Sequence, residues 1–186
     1  MMNGKDKKIK LTDLIDIKFL QEFQDFFAET MGVASLAVDD KGSITKPSNF
    51  TDFCSKYTRN SILGLKRCID CDIKWSKLAA VRGEPVIYSC HTGLTDFTVP
   101  IIVGGVHIAS LLGGQVLTAP PDEVHLRKIA KEMDIDEDAY IEEVKKIKIV
   151  PIQQVKAAAH MLSLVANAIS KIGNKNLELY QKSERE

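Results

Sequence analysis

The sequence predicts an α+β domain: an antiparallel sheet with flanking helices and a long C-terminal helix. Three observations carry this. A helical pattern over 17–31 gives way after Gly32 to an apolar, β-branched run. Three strand-like segments then follow one another between Val86 and Leu112 with only short turns between them, as antiparallel neighbours require. From Ile152 onward, apolar residues recur at helical spacing almost to the end of the 186 residues.

The elements follow in order. Residues 1–10 are polar and Lys-rich and read as a disordered lead-in, because they lack the apolar content that would fix them. Asp16 is placed to cap the first helix, whose Ile17, Leu20, Phe23, Phe27 and Met31 share one stripe, and Gly32 is placed to stop it. Residues 33–38 read as a strand, turned by Asp39-Asp40-Lys41-Gly42. Residues 46–66 read as irregular or short helix, broken at Pro47 and Gly64. A helix is expected from about Asp70, ending at Gly83 and Pro85.

The next strand runs from Val86 to Cys90, the one after it carries Phe97, Val99, Ile101 and Val103, and Gly104-Gly105 turns the chain into the strand beginning at Val106. That strand ends in Gly113-Gly114-Gln115. Glycines there let another group approach the backbone closely, and the Gln115 amide can donate and accept; a bulge with an ordinary exposed Gln is the alternative. Two charged surface helices follow, opened by Pro120-Pro121-Asp122 and by Asp136.

Twenty-five basic residues balance twenty-five acidic ones, so the chain lacks the basic footprint of a nucleic-acid binder. No apolar run reaches the ~18 residues that cross a bilayer, and no secretory leader is apparent, so a cytoplasmic protein is expected.

All four cysteines fall between residues 54 and 90, as Cys54, Cys68, Cys71 and Cys90 in the pattern C-x13-C-x2-C-x18-C, with His91 directly after the last. Four soft ligands match the number and chemistry of a tetrahedral zinc site. Cys68 and Cys71 are expected at the N-terminal edge of a helix, where its dipole favours thiolate. Unrelated buried thiols and a redox pair remain alternatives.

In the C-terminal run, Val155, Leu162, Ile169 and Asn176 are seven apart, as are Ala158, Val165, Ile172 and Leu179. These interleaved rows predict a two-stranded coiled coil with Asn176 setting register, hence a homodimer, although the first half could equally pack on the sheet.

Taken together, Leu14-Ile15-Asp16, the residues 20–26, Phe53-Cys54, Cys68-Ile69-Asp70-Cys71-Asp72, Cys90-His91-Thr92-Gly93-Leu94-Thr95-Asp96, Val99-Pro100-Ile101 and Gly113-Gly114-Gln115-Val116 resemble the PocR sensory domain. The resemblance covers about residues 11–171 and implies a PAS-like fold; with the heptads it divides the chain into a sensory domain over 11–150 and a signalling and dimerisation helix over 151–186. It also implies a module that senses small hydrocarbon derivatives such as short diols and informs an output domain or partner signalling protein.

Such a sheet can enclose an apolar cavity with a few polar groups at its mouth. The candidates for those groups are His91, Asp96, His107 and Gln115, with walls from Tyr88, Phe97 and Leu111. A cysteine-based metal or redox sensor is the alternative. Catalysis is not expected, because Cys90 and His91 are adjacent on a strand and point to opposite faces, and no orienting third group is in view.

Overall fold

The structure is a computed structural model that describes residues 10–183. The lead-in expected over residues 1–10 therefore lies almost wholly outside the described residues. Helix α1 (Ile17–Met31) begins where Asp16 accepts a hydrogen bond from the Lys18 amide at 2.8 Å, and ends at Gly32 in the left-handed region, φ 65°. Strands β1 (Ala34–Asp39), β2 (Gly42–Ser43), β3 (Val86–Ser89), β4 (Thr95–Val103) and β5 (Val106–Val116) form one antiparallel sheet in the order β2-β1-β5-β4-β3. The architecture is α+β and PAS-like.

Alternation along the central strands gives the sheet two chemically different faces. Phe97, Val99 and Ile101 of β4 and Ala109 and Leu111 of β5 point to the face covered by α1 and by α5 (Ile152–Ser183). There they pack with Leu20, Phe27, Val155, Ala158, Leu162 and Ile169 in one core. The opposite face carries Tyr88, Asp96, Thr98, Ser110 and Leu112 and meets α2 (Ile62–Arg82). Ala79 of α2 packs with Val86 and Tyr88, Trp75 stacks on Tyr88 with ring centroids 5.1 Å apart, and Ser76 Oγ lies 3.1 Å from Thr98 Oγ1. Helix α2 is thus seated over β3 and β4, and the β1–β5 half of that face is left uncovered.

A smaller core lies at the end of the sheet. Helices α3 (Glu123–Glu132) and α4 (Glu137–Lys145) pack with a π-helical segment, Phe53–Thr58, around buried Tyr140, whose hydroxyl is 2.7 Å from Thr58 Oγ1. Asp122 and Asp136 cap the two helices as the sequence indicates.

One expectation about the elements is corrected. Helix α2 starts at Ile62, capped by Ser61, so Cys68 and Cys71 sit in its interior and not at its N-terminal edge. The helix dipole is therefore no source of thiolate character. In α5 the first half of the heptad run packs on the sheet, one of the two placements open to it from sequence: Val155, Ala158, Leu162 and Ile169 are buried in the core. Only toward the end do Ile172 and Leu179 emerge, 51% and 57% exposed. The a and d positions of a heptad also describe the buried stripe of a core helix.

Candidate functional site

Because α2 lies to one side, a cavity of about 460 Å³ remains between it and the β1–β5 half of the sheet. Leu36 and Val38 form its sheet wall, and Leu65, Ile69 and Ile73 its helix wall. Ser76, His107 and Ser110 add polar groups, with His107 Nε2 2.8 Å from Ser110 Oγ. Burial lowers the His107 pKa, so its ring is neutral at ordinary pH.

At one end stands an ion pair, Arg59 Nη2 to Asp72 Oδ2 at 3.0 Å, with both side chains mostly buried and the guanidinium 5.4 Å from the centre of the Phe50 ring. Arg59, Asp72 and Leu36 also line a second, much smaller chamber of about 30 Å³ that reaches Tyr88, Asp96, Gly114 and Gln115. The Asp72 carboxyl is raised by burial and drawn back by Arg59 and by a hydrogen bond from Tyr88. Asp96 is mostly buried, and this pushes its pKa up to about 7 despite a hydrogen bond donated by the Gln115 backbone amide at 2.6 Å. Gln115 has φ 56° and Gly114 φ 142°. A Cβ at Gly114 would overlap Asp96 and would stand 2.8 Å from the Thr95 carbonyl oxygen. Gly114 therefore serves the close approach of β4, and Gly113 leaves room for the Phe97 ring.

The residues expected at a ligand site divide into three groups. Tyr88, Asp96 and Gln115 meet in the small chamber, and His107 lines the large cavity. Gln115 is buried, not exposed, and its side-chain oxygen is engaged by the amide and hydroxyl of Thr51 at 2.9 and 3.1 Å. Phe97 and Leu111 are a correction: they face α1 and α5, as the register Phe97↔Gly113 and Val99↔Leu111 requires, and wall neither cavity. His91 also lines neither cavity and belongs with the cysteines.

Three of those cysteines fall in two packed clusters that share Cys90. Cys54 and Cys90 pack at the core around Tyr140, Cys71 and Cys90 pack near Tyr88, and Cys68 Sγ is 3.3 Å from His91 Nε2. His91 Nδ1 is buried without a hydrogen-bond partner. Burial raises every thiol, Cys54 and Cys68 to about 12, Cys71 to about 11 and Cys90 well above the ordinary range. Burial, with Arg67, Arg59 and His125 nearby, lowers His91 to about 4, which leaves its ring neutral. The donor types suit zinc. Their placement does not: among the described residues, no three His, Cys, Asp or Glu side chains form a group that could hold a metal ion.

Reasoning from sequence missed Arg59 and Asp72, the charged pair shared by both chambers. Asp72 adjoins Cys71 in the chain, but only the seating of α2 brings it to Arg59, thirteen positions earlier.

A sequence profile described as the sensory domain found in PocR matches residues 13–174. The chain belongs to the PocR sensory-domain family. The regulatory protein PocR of Salmonella typhimurium is 28% identical over 153 residues, which cover 81% of this chain and 50% of that protein. The chain thus spans about half the length of that relative. Among solved structures, the GAF domain/HD domain protein from Geobacter sulfurreducens covers 74% of this chain and 99% of its own at 10% identity, with a TM-score of 0.35, too loose a likeness to carry an argument. Family membership makes this a sensory domain. No helix among the described residues is long and apolar enough to cross a membrane.

Proposed function

We propose that this PocR-family domain is a non-enzymatic cytoplasmic sensor whose ligand, a small neutral hydrocarbon derivative such as a diol, binds between α2 and the β1–β5 half of the sheet. The observation that carries this is the apolar cavity of about 460 Å³ opening onto the buried polar groups Arg59 and Asp72. Its size lies in the range of small-molecule sites, about 300–1,000 Å³, and few polar groups among apolar walls is the usual composition. A hydroxyl can accept from Arg59 and donate to Asp72 without leaving a buried charge unpaired.

The output follows from α5. Its first half is core and its last turns expose Ile172 and Leu179. A ligand that alters the sheet shifts the seating of α5, and a twin helix or an output module reads that shift. The test is a thermal-shift and calorimetric screen of diols and related alcohols on the full chain. Saturable binding to the wild type that is lost in Arg59→Met supports the reading; binding that survives in this variant places the ligand elsewhere.

A zinc ion at Cys54, Cys68, Cys71 and Cys90 is a finer part of the reading. The unpartnered His91 nitrogen and the Cys68–His91 contact support it, and the absence of a ligating arrangement among the described residues opposes it. About one zinc per chain in protein purified without added metal is the supporting result, and metal-free, folded protein removes the ion. A thiol-based sensor is less favoured, because thiols with raised pKa are poor nucleophiles.

A further inference from the structure

The large cavity has a feature that a short ligand leaves unused. Leu65, Ile69 and Ile73 stand one helical turn apart on α2, and at 1.5 Å per residue they make an apolar wall about 12 Å long. Each is 40–46% exposed, although each lines a concavity and not a convex surface. Across from them, Leu36 continues the apolar lining to the Arg59–Asp72 pair. At roughly 30 Å³ for a water-sized group, the cavity holds on the order of fifteen such groups, about three times the heavy atoms of a three-carbon diol.

The polar end is selective in a second way. The chamber beyond Arg59 and Asp72 is about 30 Å³, room for one hydroxyl or one water. A carboxylate there would gain Arg59 but stand against Asp72 and Asp96, and an ammonium would gain the two carboxyl groups but stand against Arg59. A neutral hydroxyl meets both signs with its own acceptor and donor.

Resting on the reading that this cavity is the ligand site, we propose that its ligand is a neutral amphiphile: a hydroxylated head at Arg59 and Asp72, and an unbranched apolar tail of about six to ten carbons along Leu65, Ile69 and Ile73. The tail covers the exposed stripe of α2 and draws the helix against the β1–β5 half of the sheet. Chain length then becomes the quantity sensed, through the apolar area buried.

The experiment is calorimetric titration of the full chain with 1,2-alkanediols of three to ten carbons, with octanoate and octylammonium as charged controls. Affinity for the diols is expected to rise about fourfold per methylene and to level off where the wall ends. The charged controls are expected to bind at least tenfold more weakly than 1,2-octanediol. Replacing two half-exposed residues, Ile69→Ser with Ile73→Ser, is expected to flatten the length dependence, lowering the affinity for 1,2-octanediol at least tenfold more than that for the three-carbon diol. If the three-carbon diol binds and lengthening the chain adds nothing, the amphiphile proposal is overturned while the sensor reading stands. If no diol of any length binds, both fall. Sedimentation of the same samples closes the remaining route: a dimer that dissociates as octanediol is added identifies a second chain as the natural occupant of the groove and overturns the proposal.

Discussion

Asp96 carries the sharpest consequence at the scale of single residues. Its carboxyl, pushed up to about 7 by burial, holds a proton more tightly in the folded protein than in the unfolded chain. The folded state then binds more protons between about pH 4 and 7, so stability falls as pH rises through that window. In Asp96→Asn this fall should disappear, and the variant should exceed the wild type above pH 7 by up to roughly 4 kcal/mol, at about 1.4 kcal/mol per unit. Urea unfolding at pH 5 and pH 8 measures it; parallel pH profiles for the two proteins would show that Asp96 does not titrate as its burial indicates. Gly114 is the second residue-scale test. With φ 142° and no room for a Cβ beside Asp96 and Thr95, Gly114→Ala should cost more than about 2 kcal/mol by the same measurement.

At the scale of elements, the decisive placement is that of α2. Its contacts with β3 and β4 are specific: Trp75 stacked on Tyr88, and Ser76 against Thr98. The same off-centre seat opens the cavity over β1 and β5. On the other face, the β4–β5 hairpin grips α5. Ser170 Oγ accepts from the Ile102 amide at 3.1 Å, Asn174 Oδ1 accepts from the Gly104 amide at 2.7 Å, and Gly173 lies against Val103 and Leu14. The hairpin whose β5 strand lines the large cavity is therefore tied directly to α5. Asn174→Ala should cost about 1 kcal/mol and speed hydrogen exchange at Gly104 and in the last turns of α5. Unchanged exchange at both places would mean that the hairpin does not hold the helix.

At the scale of the whole molecule, α5 is both core and exit. Val155, Ala158, Leu162, Ala166 and Ile169 are all buried, and a fully buried large aliphatic contributes about 1.5–3 kcal/mol. Against a total stability of about 5–15 kcal/mol, a chain ended at Val150 should not fold, as far-UV and near-UV circular dichroism would report. Ending the chain after Asn174 keeps this core and should preserve the fold. Cooperative unfolding of the shorter chain would overturn this account of the core.

By itself the sequence determined most of the local structure, because the signals are short-range. Asp16, Gly32, Asp122 and Asp136 bound helices through caps that depend on a few neighbouring atoms, and Gly104-Gly105 turns a hairpin through its own backbone freedom. The motifs also placed the chain in its family and brought Tyr88, Asp96, His107 and Gln115 into view. Only tertiary structure decided which face of β4 and β5 meets which helix, since alternation marks two faces without saying what covers each. That choice sent Phe97 and Leu111 into the core, set Arg59 against Asp72 and left the β1–β5 half open. It also decided which part of the α5 stripe is core, because an apolar stripe packs equally well on a sheet or on a twin, and Val155, Ala158, Leu162 and Ile169 lie on the sheet.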